Sequence, residues 1–194
     1  MGYGVFIHRA DSIYQDSPAE RYQFPSPYLR RVEACVGNWI IYYEPRKVAE
    51  TRGYFAVAKV QRIIPDPETM GMYFAVIEPG SYLEFVNTVP FSGPTGVIET
   101  GVLNTEGRIS GRAQSAVRPL SNDNFNSIIQ QGLADTSPLL PRVDDTVLDP
   151  GFHEDQRPFR FEQERERISL LTSRIIRDRV FRRIVLRALS LIHI

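Results

Sequence analysis

One cysteine, Cys35, stands in 194 residues. A single thiol excludes an internal disulfide framework and any cysteine-based metal cluster, and its apolar setting beside Val36 reads as a small core residue. Histidine is scarce too: His8, His153 and His193 are far apart, with no pair at metal-ligand spacing. A lone histidine at a strand end, such as His8, reads as structural. No Gly-rich phosphate loop of P-loop type and no G-x-S-x-G turn occurs, so no nucleophile and base can be paired and no catalytic residue is assigned. No apolar run reaches the roughly 18 residues of a membrane span, and Met1-Gly2-Tyr3-Gly4 lacks the basic start of a secretory signal. A soluble protein of the reducing cytoplasm, with no membrane partner, is expected.

The chain contains 42% hydrophobic residues, enough for a real core, and a formal net charge of zero that hides an asymmetry. From Arg157 to Arg187 ten Arg face four acids, whereas the first 156 residues carry thirteen basic and nineteen acidic side chains. A basic helix on an acidic body suits a phosphate backbone, a solvated face, or docking onto that body. Arg outnumbers Lys by 21 to 2.

Aromatic and β-branched runs bounded by Gly and Pro predict strands at Tyr3 to His8, Asn38 to Glu44, Tyr54 to Ile64 and Met72 to Glu78. Ser17-Pro18-Ala19-Glu20 predicts a helix start, and Tyr28 to Ala34 a second short helix. Four short strands with a helical insertion after the first predict a small β-barrel in an α+β fold. Gly93, Pro94, Gly96, Gly101 and Gly107 predict loops with one or two short strands over Phe91 to Arg118. Ser121 is placed to cap a helix through Gln131 that Gly132 ends. Residues 1–133 are thus read as one domain. A linker is expected over 134–158, where Pro138, Pro141, Pro150 and Pro158 fall among acids.

Residues 159–188 predict one long helix of roughly 28 residues. Its apolar positions change side: Ile168, Leu171 and Ile175 share one face, while Ile176, Val180, Ile184, Val185 and Ala188 lie mainly opposite. The expectation is a helix whose first face packs on the body and whose second awaits a partner. Leu189 to Ile194 reads LSLIHI, the peptide one frame of a sequencing-library transposon end would encode, so residues 189–194 are expected to be a non-native tail of a truncated chain.

The turn Pro65-Asp66-Pro67-Glu68 reads as ordinary turn chemistry rather than a nuclease carboxylate cluster. What remains is a binding surface. Tyr14, Tyr22, Phe24, Tyr28, Trp39, Tyr42, Tyr43 and Tyr54 are interleaved with Arg21, Arg30, Arg31, Arg46, Lys47 and Arg52. Flipped or single-stranded bases need aromatic faces to stack on and cations for their phosphates. About half of the rings must nevertheless be core. Alternation along NWIIYYE puts Trp39, Ile41 and Tyr43 on one face and Ile40, Tyr42 and Glu44 on the other.

The order of these pieces resembles the EVE-type modules of the PUA-like superfamily. The opening strand is followed by Arg21-Tyr22-Gln23, a Gly37-Asn38 turn where the family has Gly-Asp, and a strand ending in Tyr42-Tyr43. A Gly-led strand, Gly53 to Val60, Pro65-Asp66-Pro67 and the strand from Met72 to Glu78 complete a similarity over residues 3 to 90. Glu44 departs from the small polar residue the family often carries. Arg177 to Ala188 in turn resembles the helix that leads into the nuclease of bacterial HNH restriction endonucleases. The resemblance implies a reader of modified or otherwise distinctive DNA bases, with cleavage performed by an HNH domain outside this chain. The divalent metal would belong to that domain, and no cofactor is expected here. Tyr22, Trp39 and Tyr43 would line the base pocket; Arg21, Arg46, Lys47 and Arg52 would hold the flanking backbone. A stand-alone PUA-like protein that binds RNA or a small ligand, its last helix serving homo-oligomerisation, is the alternative.

Overall fold

The computed structural model describes residues 2–9, 14, 16–45, 53–93, 96–134 and 161–192. Among the described residues nine strands run in chain order: β1 (Tyr3–Ile7), β2 (Arg21–Pro25), β3 (Trp39–Glu44), β4 (Gly53–Pro65), β5 (Met72–Ile77), β6 (Leu83–Val89), β7 (Ser92–Gly93), β8 (Gly96–Val97) and β9 (Val117–Leu120). The helices are α1 (Leu29–Glu33), α2 (Asn122–Gly132) and α3 (Phe161–Ile192). The expected α+β class is what the chain adopts. No described helix is long and apolar enough to cross a membrane.

Seven strands form one sheet in the order β2-β5-β4-β3-β1-β9, with β6 pairing the first half of β4 on the edge opposite β3. Strand β4 is long enough to serve two neighbours in sequence: residues 53–59 pair with β3, and residues 60–65 pair with β5 after a register shift between Val60 and Arg62. The shift lets the sheet bend, because a bulge increases local twist. Beyond it, β5 and β2 bring Phe24, Tyr22, Ala75 and Ile77 into one core with Phe6, Ile40, Tyr42 and Ala58. No ladder joins the end strands β2 and β9 among the described residues. The Tyr22 hydroxyl instead spans the gap, donating to the Ile7 carbonyl at 2.9 Å.

A second core lies on the other side of the sheet, where Val5, Ile41, Tyr43, Tyr54 and Val57 meet Phe125, Ile128 and Ile129 of α2 and Ile176 of α3. Strand β3 is buried on both faces, and its alternation follows the sequence pattern: Ile40 and Tyr42 enter the first core, Ile41 and Tyr43 the second. Ser121 caps α2 as expected, its hydroxyl accepting from the Asn124 amide. At the far end Gly132 has no room for a side chain, since a Cβ there would meet the Phe85 ring.

Three expectations are corrected. Ser17 to Glu20 makes a single turn, with the Glu20 and Arg21 amides both donating to the Ser17 carbonyl at 2.8 Å, and leads into strand β2. The helix cannot continue because Tyr22 and Phe24 alternate into the core and Pro25 and Pro27 follow. Strand β6 lies where no strand was expected; Glu84, Val86, Asn87 and Thr88 are exposed along it, so it carries the polar composition of an edge rather than an apolar run. Helix α3 packs mainly through the face expected to await a partner. Thr172 and Ile176 are buried and Val180 is packed against the second core; of the face expected to pack, Ile175 also touches that core, whereas Ile168 and Leu171 are exposed. Arg183 helps fix the helix, its guanidinium lying over the Tyr82 ring and donating to the Tyr82 carbonyl. The expected linker and tail fall outside the described residues, apart from Ala134 and the end of α3.

Candidate functional site

Strand alternation separates the residues expected to form a base pocket. Tyr22 belongs to the first core and Tyr43 to the second, so the sheet itself lies between them. Tyr43 packs against Tyr54, Phe91 and the Arg118 guanidinium. Trp39 is half-buried against the second core and lines a cleft of about 370 Å³ beneath α3, beside the Lys59–Glu78 ion pair and Phe181. Arg21 points away from its neighbour Tyr22 and stacks on the Phe74 ring, 4.7 Å from its centroid. Arg46, Lys47 and Arg52 lie outside the described residues. Tyr22, Trp39 and Tyr43 therefore do not line a common pocket.

A different constellation forms on the Tyr42 side. Strand β1 runs parallel to β3, and the His8 amide extends the ladder by donating to the Tyr43 carbonyl at 2.9 Å. His8 falls on the same face as Phe6 and meets Tyr42 edge to face, with ring centroids 6.4 Å apart. From β4, Phe55 stacks on Tyr42 at 5.9 Å, and Tyr82 tilts against it at 6.2 Å. Tyr42 is thus wholly buried beneath three rings, those of His8, Phe55 and Tyr82, that keep part of their surface exposed.

Polar groups converge on the same spot. Asp16 is fixed by β2, its Oδ1 accepting from the Gln23 amide at 2.8 Å, and its Oδ2 lies 3.5 Å from His8 Nδ1. Burial pushes the hydroxyl pKa of Tyr42 well above its ordinary value, and the charge of Asp16, then the neighbouring Tyr22 and Tyr82, push it further. Burial and then Asp16 do the same to Tyr22. These phenols remain protonated donors at physiological pH. Tyr22 uses its hydroxyl on Ile7; that of Tyr42 has no hydrogen-bond partner among the described residues. A buried hydroxyl left unmade costs about 1–3 kcal/mol.

The set brings one ring face, a carboxylate and an imidazole together over a buried hydroxyl that has no partner among the described residues. Among the described residues no group of three His, Cys, Asp or Glu is placed to hold a metal ion. In the Pro65-Asp66-Pro67-Glu68 turn, Asp66 accepts from the Glu68 amide at 2.9 Å and from Gln23 Nε2 at 2.6 Å, the Glu68 bond first among the causes that lower its pKa. Its role is to pin the turn to β2. Sequence could place Tyr42 opposite Tyr43, but nothing local could announce that His8, Asp16, Phe55 and Tyr82 would surround it.

Fold and site together define an α+β domain that carries an aromatic, polar-edged side-chain cluster and a long C-terminal helix. Comparison with protein-family models finds no match, and comparison with curated protein sequences finds none. Among solved structures, the NMR structure of a structural-genomics target from Rhodopseudomonas palustris is similar at 12% identity and a TM-score of 0.46, over 68% of this chain and 93% of that one.

Proposed function

We propose that this domain reads a nucleobase of DNA, flipped from its stack into the site around Tyr42. The Tyr42 hydroxyl carries this reading: a buried donor with no partner among the described residues is accounted for by a ligand that completes it. Phe55 offers the stacking face that a base uses whatever its identity, worth about 1–3 kcal/mol per base. Asp16 and His8 supply an acceptor and a second polar group for the base edge. A PUA-like barrel accords with the curled sheet and with the order of motifs along residues 3 to 90. The HNH restriction-endonuclease setting, with modified DNA as substrate, rests on the resemblance of Arg177 to Ala188 to the family's lead-in helix.

The test uses duplexes of one sequence carrying cytosine, 5-methylcytosine or 5-hydroxymethylcytosine at a single position, with an RNA hairpin as competitor. Preference for one modified duplex, lost in Asp16→Asn, supports the reading. Equal affinity for all duplexes with tighter binding of the hairpin contradicts it in favour of an RNA-binding protein.

A further inference from the structure

A second cavity, of about 230 Å³, opens beside β9, lined by Arg31 of α1, Gly101, Arg112, Ser115 and Arg118. No acidic side chain lines it. Arg118 is neutralised by Glu99 from behind, and its Nη1 is spent on the Ala113 and Ser115 carbonyls. Arg31 uses Nη1 on the Val117 carbonyl at 3.0 Å and leans on the Tyr28 ring, which aims the rest of its guanidinium without matching its charge. Arg112 is exposed and forms no ion pair among the described residues. Two guanidinium groups with no ion-pair partner among the described residues thus share a concave site on a body whose overall charge is negative. Planar guanidinium forks match tetrahedral oxyanions in geometry.

We propose that this cavity binds a phosphoryl group, held between Arg31 and Arg112 with Arg118 as the rigid wall. The site does not depend on the base-reading proposal. The phosphoryl group can belong to a nucleic-acid backbone or to a small phosphorylated molecule, and two arms separate these sources.

In the first arm, amide spectra of the whole chain are followed while inorganic phosphate replaces chloride at constant ionic strength. Saturable shifts at Gly101, Arg112 and Ser115 are expected, with affinity reduced at least tenfold in Arg112→Gln and in Arg31→Gln. Both substitutions are at exposed positions, and an otherwise unchanged spectrum shows that each variant is folded. Absence of saturable shifts there in the parent chain, or unchanged titrations in both variants, overturns the proposal. In the second arm, binding of an unmodified duplex is measured across salt concentrations. A backbone phosphate predicts that Arg112→Gln lowers the slope of log K against log salt by about 1. An unchanged slope with phosphate binding lost assigns the site to a small phosphorylated molecule.

Discussion

Glu99 and Arg118 form a bidentate ion pair inside the protein, with Nε to Oε2 at 2.8 Å and Nη2 to Oε1 at 2.6 Å, both side chains only 2% exposed. The Tyr54 hydroxyl donates to Glu99 Oε1 at 2.7 Å, and the Arg118 guanidinium lies over Tyr43. The network ties the turn before residues 100–102 to β9 and to the middle of the sheet. Such a pair is specific more than it is stabilising, because both ions give up their hydration. Removing one partner strands the other charge. Arg118→Met is therefore expected to lower unfolding free energy by about 3–5 kcal/mol in urea titrations. Combining Glu99→Leu, Arg118→Met and Tyr54→Phe should recover most of that loss. A triple variant as unstable as the single one would show that the pair stabilises outright.

Helix α3 provides a test of its packing face. Ile176 is 2% exposed in the second core and Leu171 is 43% exposed. Ile176→Ala should cost about 2–4 kcal/mol. Leu171→Ala should stay within about 0.5 kcal/mol of the parent. The reverse order in thermal or urea melts would restore the face that periodicity first suggested.

Cys35 is buried beneath β1, so close that a Cβ on Gly4 would sit 2.7 Å from its sulfur. Burial pushes its thiol up to about 11. The folded chain should resist a thiol-specific reagent at pH 8 and react on unfolding. Because the folded value lies above the ordinary one near 9, the unfolded state ionises first as pH rises. This contribution to stability is whole below about pH 9 and is lost as pH climbs toward about 11. The raised hydroxyls of Tyr22, Tyr42, Tyr54 and Tyr82 act in the same direction from about pH 10 upward, where unfolded tyrosines begin to ionise. Urea midpoints that rise between pH 8 and 10.5 would contradict this.

Tyr42→Phe separates ligand binding from folding at the candidate site. The ring contacts with His8, Phe55 and Tyr82 are retained while the hydroxyl without a partner is removed. Unfolding free energy should be unchanged or higher by about 1 kcal/mol. A loss beyond about 1 kcal/mol would mean that the hydroxyl is already satisfied within the fold.

Local patterns were readable in this chain where one element decides its own structure. The apolar runs of β1, β3, β4 and β5 and the Ser121 cap of α2 fall where the sequence places them. Ser17-Pro18-Ala19-Glu20 signals a helix start because that pattern is local, while the pairing of the following β2 with β5, Tyr22 opposite Ala75, is not. Strand β6 escaped notice because an edge needs only Leu83, Phe85 and Val89 to face inward. Helix α3 shows two apolar stripes, and only the position of the second core selects between them. The candidate site was hidden for the same reason: His8, Asp16, Tyr42, Phe55 and Tyr82 come from five segments, and their meeting depends on the parallel pairing of β1 with β3 and the bend in β4.

Service of the Tyr42 hydroxyl to a bound base is measurable as equilibrium binding of the three cytosine duplexes to the parent chain and to Tyr42→Phe. The parent is expected to prefer one modified duplex and the folded variant to lose roughly tenfold of that preference, the worth of one buried hydrogen bond. Identical discrimination by parent and variant would contradict it.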